Sequence, residues 1–108
     1  MKLITKAIAA QLPALYANED KKAEDVKVPL KLFNPAGAGS WFITEYNPED
    51  ELAFGFVDLG HGPGCAELGY ISIEELRSVK LPFGLSIERD LHWNPNTTLA
   101  EVMAGKAR

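Results

Sequence analysis

The chain has 108 residues, 46% of them hydrophobic and 24% charged, a balance that excludes intrinsic disorder and fits one core without a second lobe closing over a substrate. Eleven Lys and Arg against 15 Asp and Glu give a formal charge of −4, which argues against a dedicated duplex-binding surface, since such domains are usually basic. Cys65 has no second cysteine to pair with inside the chain, so a reducing cytoplasm is the expected compartment.

Met1 to Ala10 has a positive start and some apolar residues, but Lys6 interrupts the run and Pro13 follows, so the stretch reads as a helix and not as a leader. No segment approaches the ~18 apolar residues a membrane span needs. Thr5 can cap a helix running to about Leu12, with Ile4, Ile8, Leu12 and Leu15 on one face. Tyr16 to Asp25 is polar and charged and reads as a surface loop. Val26, Val28, Leu30 and Leu32 then alternate with Lys27, Pro29, Lys31 and Phe33, the period of a strand with one inward face; Pro29 lacks an N–H, so that strand lies at an edge or Pro29 points its missing donor away from the ladder.

Asn34 to Ser40 is a turn, Trp41 to Tyr46 a second strand, Asn47 to Glu51 another turn, and Leu52 to Asp58 a third strand, which together make an antiparallel meander. Gly60 to Cys65 is a Gly/Pro loop leading to a strand at Leu68 to Ile71. Ser72 with Glu75 fits a capping box for a helix from Ile73 to about Val79. Pro82 and Gly84 end that region, and Ser86 to Trp93 returns as a strand. Thr98 with Glu101 caps a last helix that Gly105 should stop. The order α-β-β-β-β-α-β-α predicts one α+β domain with a four- to five-stranded, mostly antiparallel sheet and three short helices.

Leu12 to Tyr16, the Val28 to Phe33 strand, Trp41 to Tyr46, Phe54 to Val57, Glu67 to Tyr70 and Gly84 to Leu91 occur in an order that resembles domain-of-unknown-function family 2958 (DUF2958) over nearly the whole chain. Departures fall at the loop around His61, which is shorter than in many members, and at His92, where an aromatic is more usual. The resemblance implies a small stand-alone bacterial protein of the kind often encoded on plasmids and conjugative elements. It brings no activity with it.

Several constellations carry chemistry on paper. Glu88, Asp90 and His92 share one face of the Ser86 to Trp93 strand and could hold a divalent metal, as phosphodiester-acting enzymes require; the simpler reading is a solvated face. Glu45 and Glu67 complete the set of candidate catalytic carboxylates, and either could instead pair with Arg89, which shares its face with apolar residues and needs a partner if buried. His61, Cys65 and His92 are too few for a four-ligand zinc site, and no third group orients a Cys65–His61 pair for nucleophilic catalysis. The Gly60-x-Gly-x-Gly64 loop lacks the helix whose N-terminal amides would meet a phosphate.

Trp41, Phe42, Tyr46, Phe54, Phe56 and Tyr70 lie on consecutive predicted strands, mostly as core. An exposed subset, with Trp41, Tyr46, Tyr70 and Arg89 as the candidates, would suit a protein interface, and stacking of single-stranded nucleic acid is the rival use of the same rings. The acidic turn Glu49-Asp50-Glu51 could steer a basic partner. The expectation is a cytoplasmic accessory protein without a cofactor, acting by binding another protein of unknown identity. A metal-dependent enzyme on phosphodiesters and a single-stranded nucleic-acid binder are the alternatives.

Overall fold

A computed structural model describes residues 2–60 and 66–106 of the chain. Its strands are β1 (Leu30–Phe33), β2 (Ser40–Asn47), β3 (Leu52–Asp58), β4 (Ala66–Ser72) and β5 (Glu88–Arg89). They form one sheet in the order β4-β3-β2-β1-β5, antiparallel at every pairing. Helices α1 (Lys6–Gln11), α2 (Ile73–Ser78) and α3 (Leu99–Met103) complete the α+β fold that the residue pattern predicts.

Each helix starts where a hydroxyl is available to cap it. Thr5 accepts from the Ile8 amide at 3.2 Å and Ser72 from the Glu75 amide at 3.1 Å. At α3 the box is complete, with Thr98 accepting from the Glu101 amide and Glu101 from the Thr98 amide. Gly105, at φ 76°, takes the left-handed conformation that lets the chain leave α3.

Neighbouring residues of a strand point to opposite faces, and this sheet is apolar on both. Leu30, Leu32, Ile43, Tyr46, Ala53 and Ile71 build the first core with Leu3, Leu12 and Ile73, closed by Ile8 of α1 and Leu76 of α2. Phe42 and Phe56 build the second with Val26, Val28 and the α3 residues Leu99 and Val102. The first face is covered by α1 and α2. The second is covered by α3, which packs on Phe42 and Phe56 and reaches β3, and it remains open toward β4.

Two strand expectations are corrected. Val26, Val28, Leu30 and Leu32 do not share a face: the first two belong to the second core and the last two to the first. The chain crosses the sheet plane at Pro29 and changes partner there. Before it, the Val28 amide donates to the Thr97 carbonyl and the Leu99 amide to the Val26 carbonyl, both at 2.8 Å; after it, Leu32 faces Arg89 and Phe33 faces Glu88. With β5 outside it, β1 is also not at the edge.

The second correction is β5, which pairs over two residues where a strand from Ser86 to Trp93 was expected. Asp90 ends it, because its Oδ1 accepts from the His92 amide at 2.9 Å and turns the chain. The turn brings Trp93 back over the second core, where its indole N–H donates to the Val28 carbonyl at 2.7 Å and its ring lies 5.6 Å from that of Phe42. Lys31 sits 5.7 Å from both ring centres and 3.7 Å from Asp90.

Candidate functional site

The open part of the second face is a cleft of about 420 Å³, floored by β2 and β3 and bounded by β4, α3 and the loop 16–23. Its geometry starts with one extra residue in β2. Ile43 faces Gly55, but the next partner of β3, Phe54, is faced by Glu45, so Thr44 is a β-bulge. Without it, Glu45 would share the face of Ile43 and Tyr46 the face of Phe42. The bulge exchanges them, putting Glu45 on the cleft side and Tyr46 in the first core. Thr44 fixes the irregularity by donating its hydroxyl to the Phe54 carbonyl at 3.0 Å.

Glu45 is 5% exposed, and its carboxylate is satisfied by backbone: Oε1 accepts from the Tyr16 amide at 2.8 Å and Oε2 from the Asn18 amide at 2.9 Å. Such charge-assisted bonds hold more tightly than neutral ones. They pin the loop 16–18 above the sheet, and the Tyr46 amide holds its approach by donating to the Pro13 carbonyl at 2.9 Å. Tyr16 stands at φ 70°, an uncommon conformation for an aromatic residue, so Glu45 offsets local strain as well as holding position.

The pinned loop projects the Tyr16 ring across the cleft to Tyr70 on β4, and the two hydroxyls meet at 3.0 Å. Tyr70 also packs edge-on against Phe54 with ring centres 5.3 Å apart. This hydrogen bond, followed by desolvation and the nearby Glu45 and Glu19 charges, raises the Tyr70 phenol above its ordinary pKa. Tyr16 is 61% exposed, Tyr70 55%, Leu68 42% and Met103 44%. These four apolar side chains surround one opening, over a buried carboxylate whose oxygens are already engaged. The opening therefore offers apolar surface, with Glu45 engaged by backbone beneath it.

The fold separates the candidates read from the sequence. Of the aromatic candidates Tyr70 borders the cleft, whereas Tyr46 is 8% exposed within the first core, where burial foremost, and then the Glu51 charge, raises its phenol. Trp41 packs half-buried on that same first face. Arg89 faces Leu32 and donates to the carbonyls of Lys2 and Leu3, fastening the N-terminal segment to the sheet. Its expected pairing with Glu45 does not form, because Glu45 lies on the other face. Glu67 stands on β4, at the opposite edge of the sheet from Arg89, Glu88 and Asp90.

His92 leaves the strand at the Asp90 turn and no longer continues the face of Glu88. Among the described residues no three His, Cys, Asp or Glu side chains are grouped to hold a metal ion. His61, Cys65 and the Gly62 and Gly64 positions of the glycine loop lie outside the described residues. In the acidic turn, Glu51 forms a two-point bond to Arg77 of α2, at 3.2 and 2.8 Å, and Asp50 accepts from Asn47. That turn therefore fastens α2 to the sheet. Arg77 holds the Glu51 carboxyl below its ordinary range.

Tyr16, Asn18, Leu68 and Met103 were not singled out from the sequence. Tyr16 offered the one signal: it is an aromatic at the head of an otherwise charged loop. Residues 3–108 match the family model described as a protein of unknown function, DUF2958. No curated protein and no solved structure matches the chain.

Proposed function

The chain belongs to the DUF2958 family, whose description carries no activity, and from the geometry of the cleft we propose that it is a non-enzymatic protein-interaction module. Its working surface is the opening between Tyr16, Leu68, Tyr70 and Met103, and its setting is the cytoplasm of a bacterium carrying a plasmid or conjugative element. The observation that supports this reading is the cleft itself: about 420 Å³ with a mostly apolar lining and exposed aromatic rims, beside a carboxylate whose two oxygens hold the rim loop by its backbone. Aromatic side chains at the mouth of a pocket are common anchors for a partner's side chain. At the opening Glu19 stands against Lys21 and the chain carries −4 overall, a balance that disfavours the phosphates of single-stranded nucleic acid.

The test is affinity capture from lysate of a plasmid-bearing host with wild type and Tyr70→Asp, each with and without nuclease. The expected result is a stoichiometric protein that survives nuclease and is recovered at least tenfold less by the variant. Equal recovery by both proteins would remove the cleft from the account. Recovery that vanishes with nuclease would give the same rings to nucleic-acid stacking. Calorimetry with magnesium, manganese and zinc covers the phosphodiester alternative through Glu88 and Asp90, and the interaction reading expects no heat of binding.

A further inference from the structure

Strand β4 forms one edge of the sheet, seven residues long, and among the described residues no strand flanks its outer side. Edges of that length are usually blunted by prolines, bulges or rows of charge, because their free amides and carbonyls pair with whatever strand arrives. This one contains no proline, its register with β3 runs unbroken from Leu52↔Ser72 to Asp58↔Ala66, and Glu67 is its sole charged residue. On the cleft side it presents Leu68 and Tyr70, the half-exposed residues of the opening. A Cβ placed at Gly69, between them, would meet nothing within 4 Å.

Resting on the protein-interaction reading, we propose that the partner binds as an added strand along β4. An extended segment would satisfy the free backbone of the edge and lay a bulky apolar side chain over Leu68 and Tyr70 at the cleft mouth. Strands pair about 4.8 Å apart, which places the cleft-side residues of an added strand directly against those two. Charge selects the segment. Glu67 on the face of β4 away from the cleft, Glu74 and Glu75 just beyond it at the start of α2, and Glu19 at the cleft make the border acidic, with Lys21 and Arg77 as the opposing charges. The occupant is therefore a strand of another protein in which lysines or arginines flank a large apolar residue. A second copy fits less well, since two chains of −4 each repel.

The test uses a capped Lys-Val-Lys-Phe-Lys-Val-Lys peptide as probe, followed by amide NMR of the full chain. The counterpart with Glu for every Lys, and two analogues N-methylated on one or the other alternating set of amides, are the comparisons. The expected result is that residues 66–72 shift, that methylation of one set weakens binding at least tenfold while the other set leaves it within about twofold, and that the acidic peptide fails. Glu67→Lys should weaken the basic probe several-fold. Equal binding by both methylated analogues, with shifts confined to the loop 16–21 and Phe54, would overturn strand addition while leaving the interaction reading in place. No shift of β4 at millimolar probe would also overturn it, since main-chain pairing tolerates sequence. A dimer by light scattering whose dissociation shifts β4 would assign the edge to a second copy instead.

Discussion

Glu45 is where the site and the stability of the chain meet. Its two oxygens receive the amides of Tyr16 and Asn18 in a part-buried contact, so removing the charge leaves two donors without their charged acceptor. Glu45→Gln retains the shape, replaces a charged acceptor by a neutral one and turns an N–H₂ toward one donor. The expected cost is about 1.5–3 kcal/mol in urea unfolding, with the Tyr16 resonances broadening as the loop is released. An unchanged unfolding midpoint would show that the loop is held by something else. The Tyr16–Tyr70 contact has its own readout. A phenol held above its ordinary pKa contributes stability that is complete below that value and is lost as pH rises through the folded one. Ultraviolet titration should therefore find one late-ionising exposed tyrosine that Tyr16→Phe returns toward the ordinary range. The same late step in the variant would contradict the assignment.

At the scale of elements, the positions that decide the architecture are those where a period breaks. Gly55 lies across from Ile43, and a Cβ there would meet the Phe42 carbonyl at 1.9 Å. Gly55→Ala should cost at least about 3 kcal/mol, the upper range for overpacking, because backbone cannot move aside as a side chain can. Calorimetry reads this as a large drop in melting temperature, and a shift under 2 °C would contradict the register. For α3, Thr98→Ala removes a cap and should cost about 1 kcal/mol by the same measurement. Its partner Glu101 has a depressed pKa, chiefly through hydrogen bonds from the Thr98 amide and hydroxyl, so the cap's contribution is present above the ordinary carboxyl pKa and fades as pH falls through the folded one. The difference between wild type and Thr98→Ala should shrink in acid.

These elements also show why the sequence was legible in some places and opaque in others. Thr5, Ser72 and Thr98 announce their helices because capping is a local act, and the meander from Trp41 to Asp58 follows from turn residues between apolar runs. The bulge at Thr44 leaves no mark in the alternation: Ile43, Thr44, Glu45 and Tyr46 read as an ordinary strand until the pairing with β3 is known. Pro29 was visible as a missing donor, yet that it divides Val28 from Leu30 across the sheet depends on the arrival of Thr97 and Glu88 from elsewhere in the chain. Among the candidate residues, Tyr70 was found because it is an aromatic on a strand, and its place at the opening follows from the same alternation. Tyr46 was offered as exposed because the bulge that buries it was not foreseen. Tyr16 owes its role to a left-handed backbone and a carboxylate 29 positions away.

At the scale of the molecule the described residues form a sheet with an apolar core on each face, the second of them left open at the cleft. The strip from Tyr16 to β4 stays open to solvent, with Tyr16, Leu68 and Tyr70 exposed along it. A separate apolar feature, Phe83, stands 98% exposed at φ 61° in the Pro82–Gly84 turn and serves as the internal control, since Phe83→Ala should leave capture of the partner unchanged. The measurement that bears most directly on the account is hydrogen exchange of the full chain alone and with its captured partner. Slowed exchange across residues 66–72 and 16–21, with 82–91 unaffected, is the predicted result. Protection confined to 82–91, with β4 and the Tyr16 loop exchanging as in the free protein, would place the working surface at Phe83 and contradict the account.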